Sequence, residues 1–226
     1  MTSESIFKDD YGVTILAEKG SGKTILLASE ANKFKKFVLV DVLGVLNPES
    51  NYRSGIIPNS HYWHSVDAFI DNVVKERNDS GIDRHVINFA ESENEPADMD
   101  KLAFFLINQG KSGHGYPLFV DEADDVLPEG KTGLNAIKIV KNGRNYGIKP
   151  FVCATQRPQG AAKKIIELAG RWFIGGETGY NTLKHVTAIT GANEEVFKNM
   201  KPRHFYDTKT NKVTKVANYR YAVKQK

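Results

Sequence analysis

Apolar runs of strand length alternate along the chain with segments whose apolar residues recur at helical spacing. The predicted strands are 12–17, 37–40, 85–89, 118–120, 151–154 and 172–174. The predicted helices are 24–34, 66–77, 99–108, 134–141, 161–169, 181–189 and 194–199. Because short, continuous apolar strands that alternate with helices are typical of parallel sheets covered on both sides, the pattern predicts an α/β fold. This fold has a mostly parallel, twisted sheet with helices on both faces, and segments 205–208 and 213–217 predict a C-terminal β-hairpin.

The chain of 226 residues is long enough for one domain, and we expect residues 1–226 to form it, with 1–10 and 219–226 as flexible ends. Segment 47–64 is predicted to be a loop because it is rich in Pro, Gly, Asn and Ser. It holds Tyr52, Arg53, Tyr62 and Trp63, and aromatic residues beside a basic one are interpreted as residues that stack on bases or pack a subunit interface.

Composition narrows the class of protein. Hydrophobic residues make up 40% and charged residues 26%, which excludes disordered and collagen-like chains. We expect no membrane span and no secretion signal, because the sequence has neither a long apolar run nor an apolar core near Met1. The one cysteine, Cys153, cannot form an internal disulfide or a cysteine-based zinc site, and it favours a reducing cytosol.

Positive charge is concentrated near the C-terminus. The net charge is +4, but residues 198–226 carry nine Lys or Arg against the single acid Asp207. A basic segment of this kind indicates a polyanionic partner, and a solvated tail is the alternative interpretation.

The first predicted strand leads directly into Ala17-Glu18-Lys19-Gly20-Ser21-Gly22-Lys23-Thr24 and then into a helix. This is a phosphate loop in its usual context, where backbone N–H groups and a helix N-terminus converge on an anion. The predicted nucleotide-binding residues are Gly20, Ser21, Gly22, Lys23, Thr24 and Ile25. Lys23 is predicted to reach the β- and γ-phosphates, and the Thr24 hydroxyl to ligate Mg²⁺. Because Ala17 replaces the usual first glycine, we expect the loop to start without a positive φ.

Two carboxylates, Asp121 and Glu122, follow the strand 118–120. With a phosphate loop upstream, Asp121 is predicted to hold the Mg²⁺ shell, and Glu122 to polarise the attacking water as general base. The alternative is a pair of capping or surface acids. Asp124 and Asp125 are interpreted as helix-start or solvated residues.

The strand 151–154 ends in Thr155-Gln156, and Pro158 blocks its continuation. If this strand lies between those that lead to Ala17 and Asp121, Gln156 is placed to sense the γ-phosphate. The loop that follows, 157–164, would then move with the nucleotide state. The alternative is a turn whose polar residues satisfy backbone groups.

In order and spacing, five segments resemble motifs of the HerA–FtsK superfamily of DNA-pumping ATPases. They are the phosphate loop, Asp41-Val42-Leu43-Gly44, Asp121-Glu122, Gly143-Arg144-Asn145-Tyr146-Gly147 and Ala154-Thr155-Gln156-Arg157-Pro158. The resemblance implies a RecA-like core that hydrolyses ATP with Mg²⁺ at the subunit interfaces of a homo-oligomeric, hexameric ring around double-stranded DNA. It also implies that Arg144 enters the neighbouring subunit's site, where such an arginine is worth about 10³–10⁵ in rate. Without the resemblance, Arg144 equally fits a cation near a helix C-terminus.

In size and content the chain is similar to the genome-packaging ATPases of tailless, membrane-containing viruses. This resemblance implies that it pumps double-stranded viral DNA into a preformed capsid, in the host-cell cytoplasm or at a packaging vertex of the virion. Capsid-vertex and membrane proteins are then candidate partners. Because a motor that passes any sequence must bind phosphates, Lys131, Lys163 and Lys164 are candidate DNA contacts, with ordinary solvated lysines as the alternative.

Two other functions fit parts of the pattern. A nucleotide-gated assembly or DNA-transfer coupling ATPase would dock a protein or membrane partner without itself moving DNA. A small-molecule kinase would need a phosphate-acceptor pocket, whereas Glu122 and Thr155-Gln156 favour water as the acceptor.

Overall fold

The strands and helices follow the predicted alternation. The computed structural model describes residues 4–46, 57–176, 178–198 and 200–216. Its strands are β1 (Val13–Leu16), β2 (Lys36–Asp41), β3 (His61–Trp63), β4 (Asp83–Asn88), β5 (Leu118–Val120), β6 (Phe151–Thr155), β7 (Arg171–Gly175), β8 (His204–Asp207) and β9 (Lys212–Lys215). Its helices are α1 (Lys23–Ala31), α2 (Val66–Ser80), α3 (Glu95–Lys111), α4 (Ala123–Val126), α5 (Leu134–Asn142), α6 (Lys163–Leu168), α7 (Tyr180–Thr190) and α8 (Glu195–Lys198), with a 3₁₀ turn at Gly143–Tyr146.

The described strands form one sheet in the order β3-β4-β2-β5-β6-β1-β7-β8-β9. The first seven strands of that order are parallel, whereas β8 and β9 pair antiparallel as the predicted hairpin. The predicted α/β class is therefore confirmed. β6 lies between β5 and β1, so the condition set for placing Gln156 near the phosphate loop is met.

Both faces of the sheet are buried, which explains the unbroken apolar run of β2. Val38 and Val40 face one core, which α2, α3 and α5 cover, because side chains alternate along a strand. Phe37 and Leu39 face the opposite core, which α1 covers. A third cluster packs α7 and α8 against β7 and β8. None of the helices in the described ranges combines the length and apolar composition that crossing a membrane requires.

The strand β3 was not predicted, and its assignment to a loop is wrong. Trp63 packs edge-on against Phe69 at 6.0 Å between ring centroids, and its Nε1 donates to Nδ1 of His85 at 3.2 Å. The Tyr62 hydroxyl donates to the carbonyl of Ile57. Both aromatic residues therefore pack within the chain. Residues 47–56 of the predicted loop lie outside the described residues.

The N-terminal segment is packed, which corrects its assignment as a flexible end for residues 4–10. Phe7 is fully buried and contacts Phe173 edge to face at 5.1 Å. Arg171 donates from Nη1 to Asp10 and from Nε and Nη2 to both carboxylate oxygens of Asp207, at 2.5–2.8 Å. The ion pairs of Arg171 hold the N-terminal segment against β7 and β8. The remaining predicted positions lie outside the described residues, namely 1–3, 199, 217 and 219–226.

Candidate active site

The phosphate loop connects the end of β1 to the start of α1. Gly20 and Gly22 have φ values of 85° and 94°, in the left-handed region that glycine adopts without strain. Ala17 is not among the residues with positive φ, as its side chain predicts. A Cβ added at Gly20 would meet no described atom within 4 Å, so this side of the loop is open.

Lys23 is the first residue of α1, and its side chain is buried below the loop. Its Nζ donates to the carbonyl of Glu18 at 3.2 Å. Burial lowers the pKa of Lys23, while the carboxylates of Glu122 and Asp121 oppose that change. The ammonium group is therefore held in the loop with two acids nearby.

One cleft contains five of the six predicted nucleotide-binding residues together with the predicted base. The lining residues are Lys19, Gly20, Gly22, Lys23, Thr24, Ile25, Leu43, Glu122 and Arg203. The Ser21 hydroxyl is buried in the same loop and has no hydrogen-bond partner among the described residues. A buried hydroxyl of this kind, beside a lysine and open glycines, fits a site for phosphate.

The two acids lie directly after β5, and both are buried. Glu122 has φ 47° and ψ 57°, a left-handed conformation that costs a non-glycine residue about 1–3 kcal/mol and is found mainly at functional sites. Burial raises the pKa of Glu122, as does the charge of Asp121, and together they outweigh the lowering effects of Lys23 and Gln156. A carboxylate with a raised pKa is a stronger general base.

Gln156 contacts the predicted base directly. Its Nε2 donates to Oε1 of Glu122 at 2.8 Å. The Thr155 hydroxyl donates to Oδ1 of Asp124 at 2.8 Å, and accepts from the backbone N–H of Arg157 at 3.2 Å. The end of β6 is thus bonded to the acidic segment that follows β5. Asp124 lies in the first turn of α4, as predicted. The sequence did not predict the hydrogen bond between its carboxylate and Thr155.

The Asp-x-x-Gly segment after β2 shapes one wall of the cleft. The carboxylate of Asp41 accepts hydrogen bonds from the backbone N–H groups of Val45 and Leu46, at 3.2 and 2.6 Å. These bonds close the turn that carries Leu43, which is half exposed at the cleft. Asp41 therefore stabilises the shape of the wall.

Arg144 lies at the opposite end of the sheet, where the parallel strands begin. It is exposed in the 3₁₀ turn before β6, and the following Gly147 packs against Gly115, which precedes β5. Parallel strands have their carboxyl ends on the same side of the sheet, and Glu122 follows the carboxyl end of β5. Arg144 precedes the amino end of β6, so it lies on the opposite side. The structure therefore does not bring Arg144 to the cleft of its own chain.

Tyr11, which precedes β1, holds the turn that presents Arg144. Its hydroxyl accepts from the backbone N–H of Gly143 at 2.7 Å and donates to the carbonyl of Ile139. Burial raises the pKa of Tyr11 to about 12, so the hydroxyl remains protonated and able to donate.

The three candidate DNA lysines lie on two connected segments that follow β5 and β6. The backbone N–H of Glu129 donates to Gly160, and that of Ala162 donates to Leu127, at 2.9 and 2.7 Å. Lys131 lies in the loop after α4, Lys163 and Lys164 begin α6, and all three are exposed. The last two pair with Glu167 on the same helix at 3.5 and 2.6 Å, and exposed pairs of this kind are weak enough to leave lysines available to other anions.

No protein-family model matches this chain, and no curated protein sequence matches it either. Solved structures do match it. The genome-packaging NTPase B204 of Sulfolobus turreted icosahedral virus 2, in complex with AMPPCP, is 18% identical with a TM-score of 0.64, over 91% of this chain and 96% of that one. B204 of Sulfolobus turreted icosahedral virus, described as a DNA-packaging ATPase, is 20% identical with a TM-score of 0.63, over 92% and 97%.

The chain has the fold of the B204 proteins. EssC (ATPases 2 and 3) of Geobacillus thermodenitrificans also matches, at 11% identity and a TM-score of 0.51, over 91% of this chain and 39% of that one. These likenesses show the α/β fold that the HerA–FtsK resemblance of the sequence motifs implies.

Proposed function

We propose that this chain hydrolyses ATP to ADP and phosphate, and that hydrolysis drives double-stranded DNA into a preformed viral capsid. The observation that carries the proposal is the presence of Lys23 and Glu122 on one cleft at the phosphate loop, with Gln156 bonded to Glu122. The shared fold with viral packaging ATPases supports the same conclusion.

The residues of the cleft divide the chemistry between them. The Lys23 ammonium binds the β- and γ-phosphates, and the backbone of residues 20–25 surrounds them. Thr24 and Asp121 are the residues that would hold Mg²⁺, which supplies charge neutralisation on the phosphates when bound. Glu122 accepts a proton from the attacking water, and its raised pKa suits that role. Gln156 orients the Glu122 carboxylate and senses the γ-phosphate.

The position of Arg144 supports a ring. Since this arginine lies at the amino ends of the parallel strands, opposite the cleft, it can contribute to hydrolysis only in a neighbouring subunit. An interface that joins one end of a subunit to the opposite end of the next is heterologous, and such interfaces form a ring when the rotation between subunits closes. We propose a hexamer in which each site is completed by the neighbour's arginine.

The segments that carry Lys131, Lys163 and Lys164 support DNA as the moved partner. They follow the strand ends that carry Glu122 and Gln156, so a change at the γ-phosphate reaches both segments through a few residues. Lysines contact DNA through its phosphates, without dependence on sequence. We further propose that the protein acts in the host-cell cytoplasm and at the packaging vertex, with capsid-vertex or membrane proteins as partners.

The test is the ATPase rate measured with and without duplex DNA across a salt series. We expect DNA to stimulate hydrolysis, and the logarithm of the apparent DNA affinity, obtained from DNA titrations of the rate, to fall linearly against log salt. Replacing Lys131, Lys163 and Lys164 together by Ala should bring the ratio of the two rates toward one. The matched control is Lys75→Ala, because Lys75 is an exposed lysine on α2. Hydrolysis that DNA never stimulates would favour the nucleotide-gated assembly ATPase instead.

A further inference from the structure

Arg203 lines the nucleotide cleft although it lies far from the phosphate loop in sequence. It occupies the turn before β8 and is half-buried. A Cβ added at Gly22 would lie 3.6 Å from its Cγ, so the arginine side chain passes beside the glycine that precedes α1. The cleft therefore has a cationic side chain from the loop, Lys23, and another from the C-terminal hairpin.

Strand pairing fixes the position of this arginine. β1 pairs with β7 up to Leu16 and Ile174, and β7 pairs with β8 through Gly175 and Phe205. The start of β8 therefore lies beside the end of β7, one strand away from the end of β1, where the phosphate loop begins. The carbonyl of Arg203 accepts from the backbone N–H of Val216 at 2.9 Å, which ties the turn to the end of β9.

The backbone at Arg203 is strained, since its φ is 60°. A long side chain rarely adopts this left-handed conformation, which persists only where the surrounding structure imposes it. Here the two strand pairings and the bond from Val216 impose it, and the result is a guanidinium-bearing side chain at the phosphate loop.

We propose that Arg203 binds a phosphate group of the nucleotide in the cleft of its own chain. The inference rests on the proposed function, and it gives the C-terminal hairpin a part in the nucleotide site. A guanidinium stays charged at all relevant pH values and donates parallel N–H bonds to phosphate oxygens. The basic C-terminal segment indicated a polyanionic partner. For Arg203, this partner is the nucleotide. Arg203 acts within the chain, whereas Arg144 acts on a neighbour.

The test is equilibrium binding of AMPPCP, which avoids turnover, to the full chain and four variants. Loss of one charge-assisted hydrogen bond predicts that Arg203→Ala weakens binding about ten- to a hundred-fold, and that Arg203→Lys recovers part of the loss. Arg203→Asn removes the same charge but tolerates the left-handed backbone, so it separates lost binding from misfolding. The matched control is Lys201→Ala, an exposed cation in the same turn, and it should bind as the wild type does.

Inorganic pyrophosphate, as a competitor of AMPPCP, tests which part of the nucleotide is recognised. A phosphate contact predicts that Arg203→Asn weakens pyrophosphate by about the same factor as AMPPCP. Unchanged pyrophosphate affinity in that variant would overturn the proposal.

The Lys23→Ala variant distinguishes a failure of the proposed nucleotide site from a failure of the proposed role of Arg203. If Lys23→Ala still binds AMPPCP, the proposed nucleotide site itself fails. If Lys23→Ala loses binding while Arg203→Ala and Arg203→Asn stay within about twofold of the wild type, the site stands and the role of Arg203 is refuted.

Discussion

Mixing two inactive variants would show whether neighbouring subunits share each catalytic site. Lys23 lies at the carboxyl ends of the parallel strands, whereas Arg144 lies at their amino ends, so in the proposed ring the two residues of one chain serve different sites. Lys23→Ala removes nucleotide binding from its own cleft and leaves its arginine intact. Arg144→Ala keeps its own cleft intact but cannot complete the neighbour's site.

The size of the recovery follows from this geometry. Alone, Arg144→Ala should hydrolyse ATP about 10³–10⁵ times more slowly than the wild type, and Lys23→Ala should not bind ATP. In a mixed ring, a site works when an Arg144→Ala cleft receives the arginine of a Lys23→Ala neighbour. With independent sites, that arrangement occurs at about a quarter of the interfaces in an equal mixture, whatever the ring size. The mixture should therefore recover about a quarter of wild-type turnover.

The assay is phosphate release at constant total protein, over a series of mixing ratios, after the rings are dissociated and reassembled. Turnover should rise to a maximum near equal amounts and fall on either side. The control mixture combines Lys23→Ala with Glu122→Gln, whose lesions lie in the same cleft, so it should recover nothing. Mixed rings that stay inactive at every ratio would refute the trans role, as would an Arg144→Ala protein with wild-type turnover.

Three further variants test the catalytic base, the turn that presents Arg144 and the buried ion pairs. Glu122→Gln should bind ATP but hydrolyse it about 10²–10⁴ times more slowly in phosphate-release assays, and rapid turnover would exclude it as the base. Tyr11→Phe should lower turnover without weakening ATP binding, and the same mixing experiment should rescue it; a defect that mixing leaves unchanged would argue against this positioning role. Arg171→Ala should cost about 3–5 kcal/mol, lowering Tm by roughly 6–20 °C in a thermal scan at neutral pH. Burial alone would raise the pKa of Asp207, but the hydrogen bonds from Arg171 lower it from its ordinary value of 3.8. This stabilisation is therefore fully present above the ordinary pKa, and it is lost as the pH falls through the lower pKa of the folded protein. Wild-type unfolding free energy should therefore fall more steeply in acid than that of Arg171→Ala, and parallel curves would contradict the assignment.

The local motifs were predictable because each depends on residues close together in the chain. Gly20 and Gly22 are needed where the loop requires positive φ, and Lys23 must start the helix that follows. Strands such as β2 are recognisable because both faces of the sheet are buried, which leaves a continuous apolar run. The predicted fold class followed from the order of these elements.

Other features had no local signal. A three-residue edge strand such as β3 is too short to show a period, and it is held by pairing with β4. The burial of Phe7 depends on Phe173, which lies on a strand near the other end of the chain. Arg203 belongs to a basic segment that resembles a solvated tail, and only the pairing of β7 with β8 places it at the phosphate loop.

The amino-acid sequence by itself determined the strand-loop-helix unit of the phosphate-loop motif, the acid pair after β5 and the polar end of β6, because short-range sterics and side-chain chemistry specify them. The tertiary structure alone decided which of these meet. Placing β6 between β5 and β1 brought Gln156 to Glu122, and parallel pairing placed Arg144 at the amino ends of the strands, away from the cleft. The physical reason is that strand order is chosen by burying both sheet faces over the whole chain, a long-range requirement that no single segment encodes.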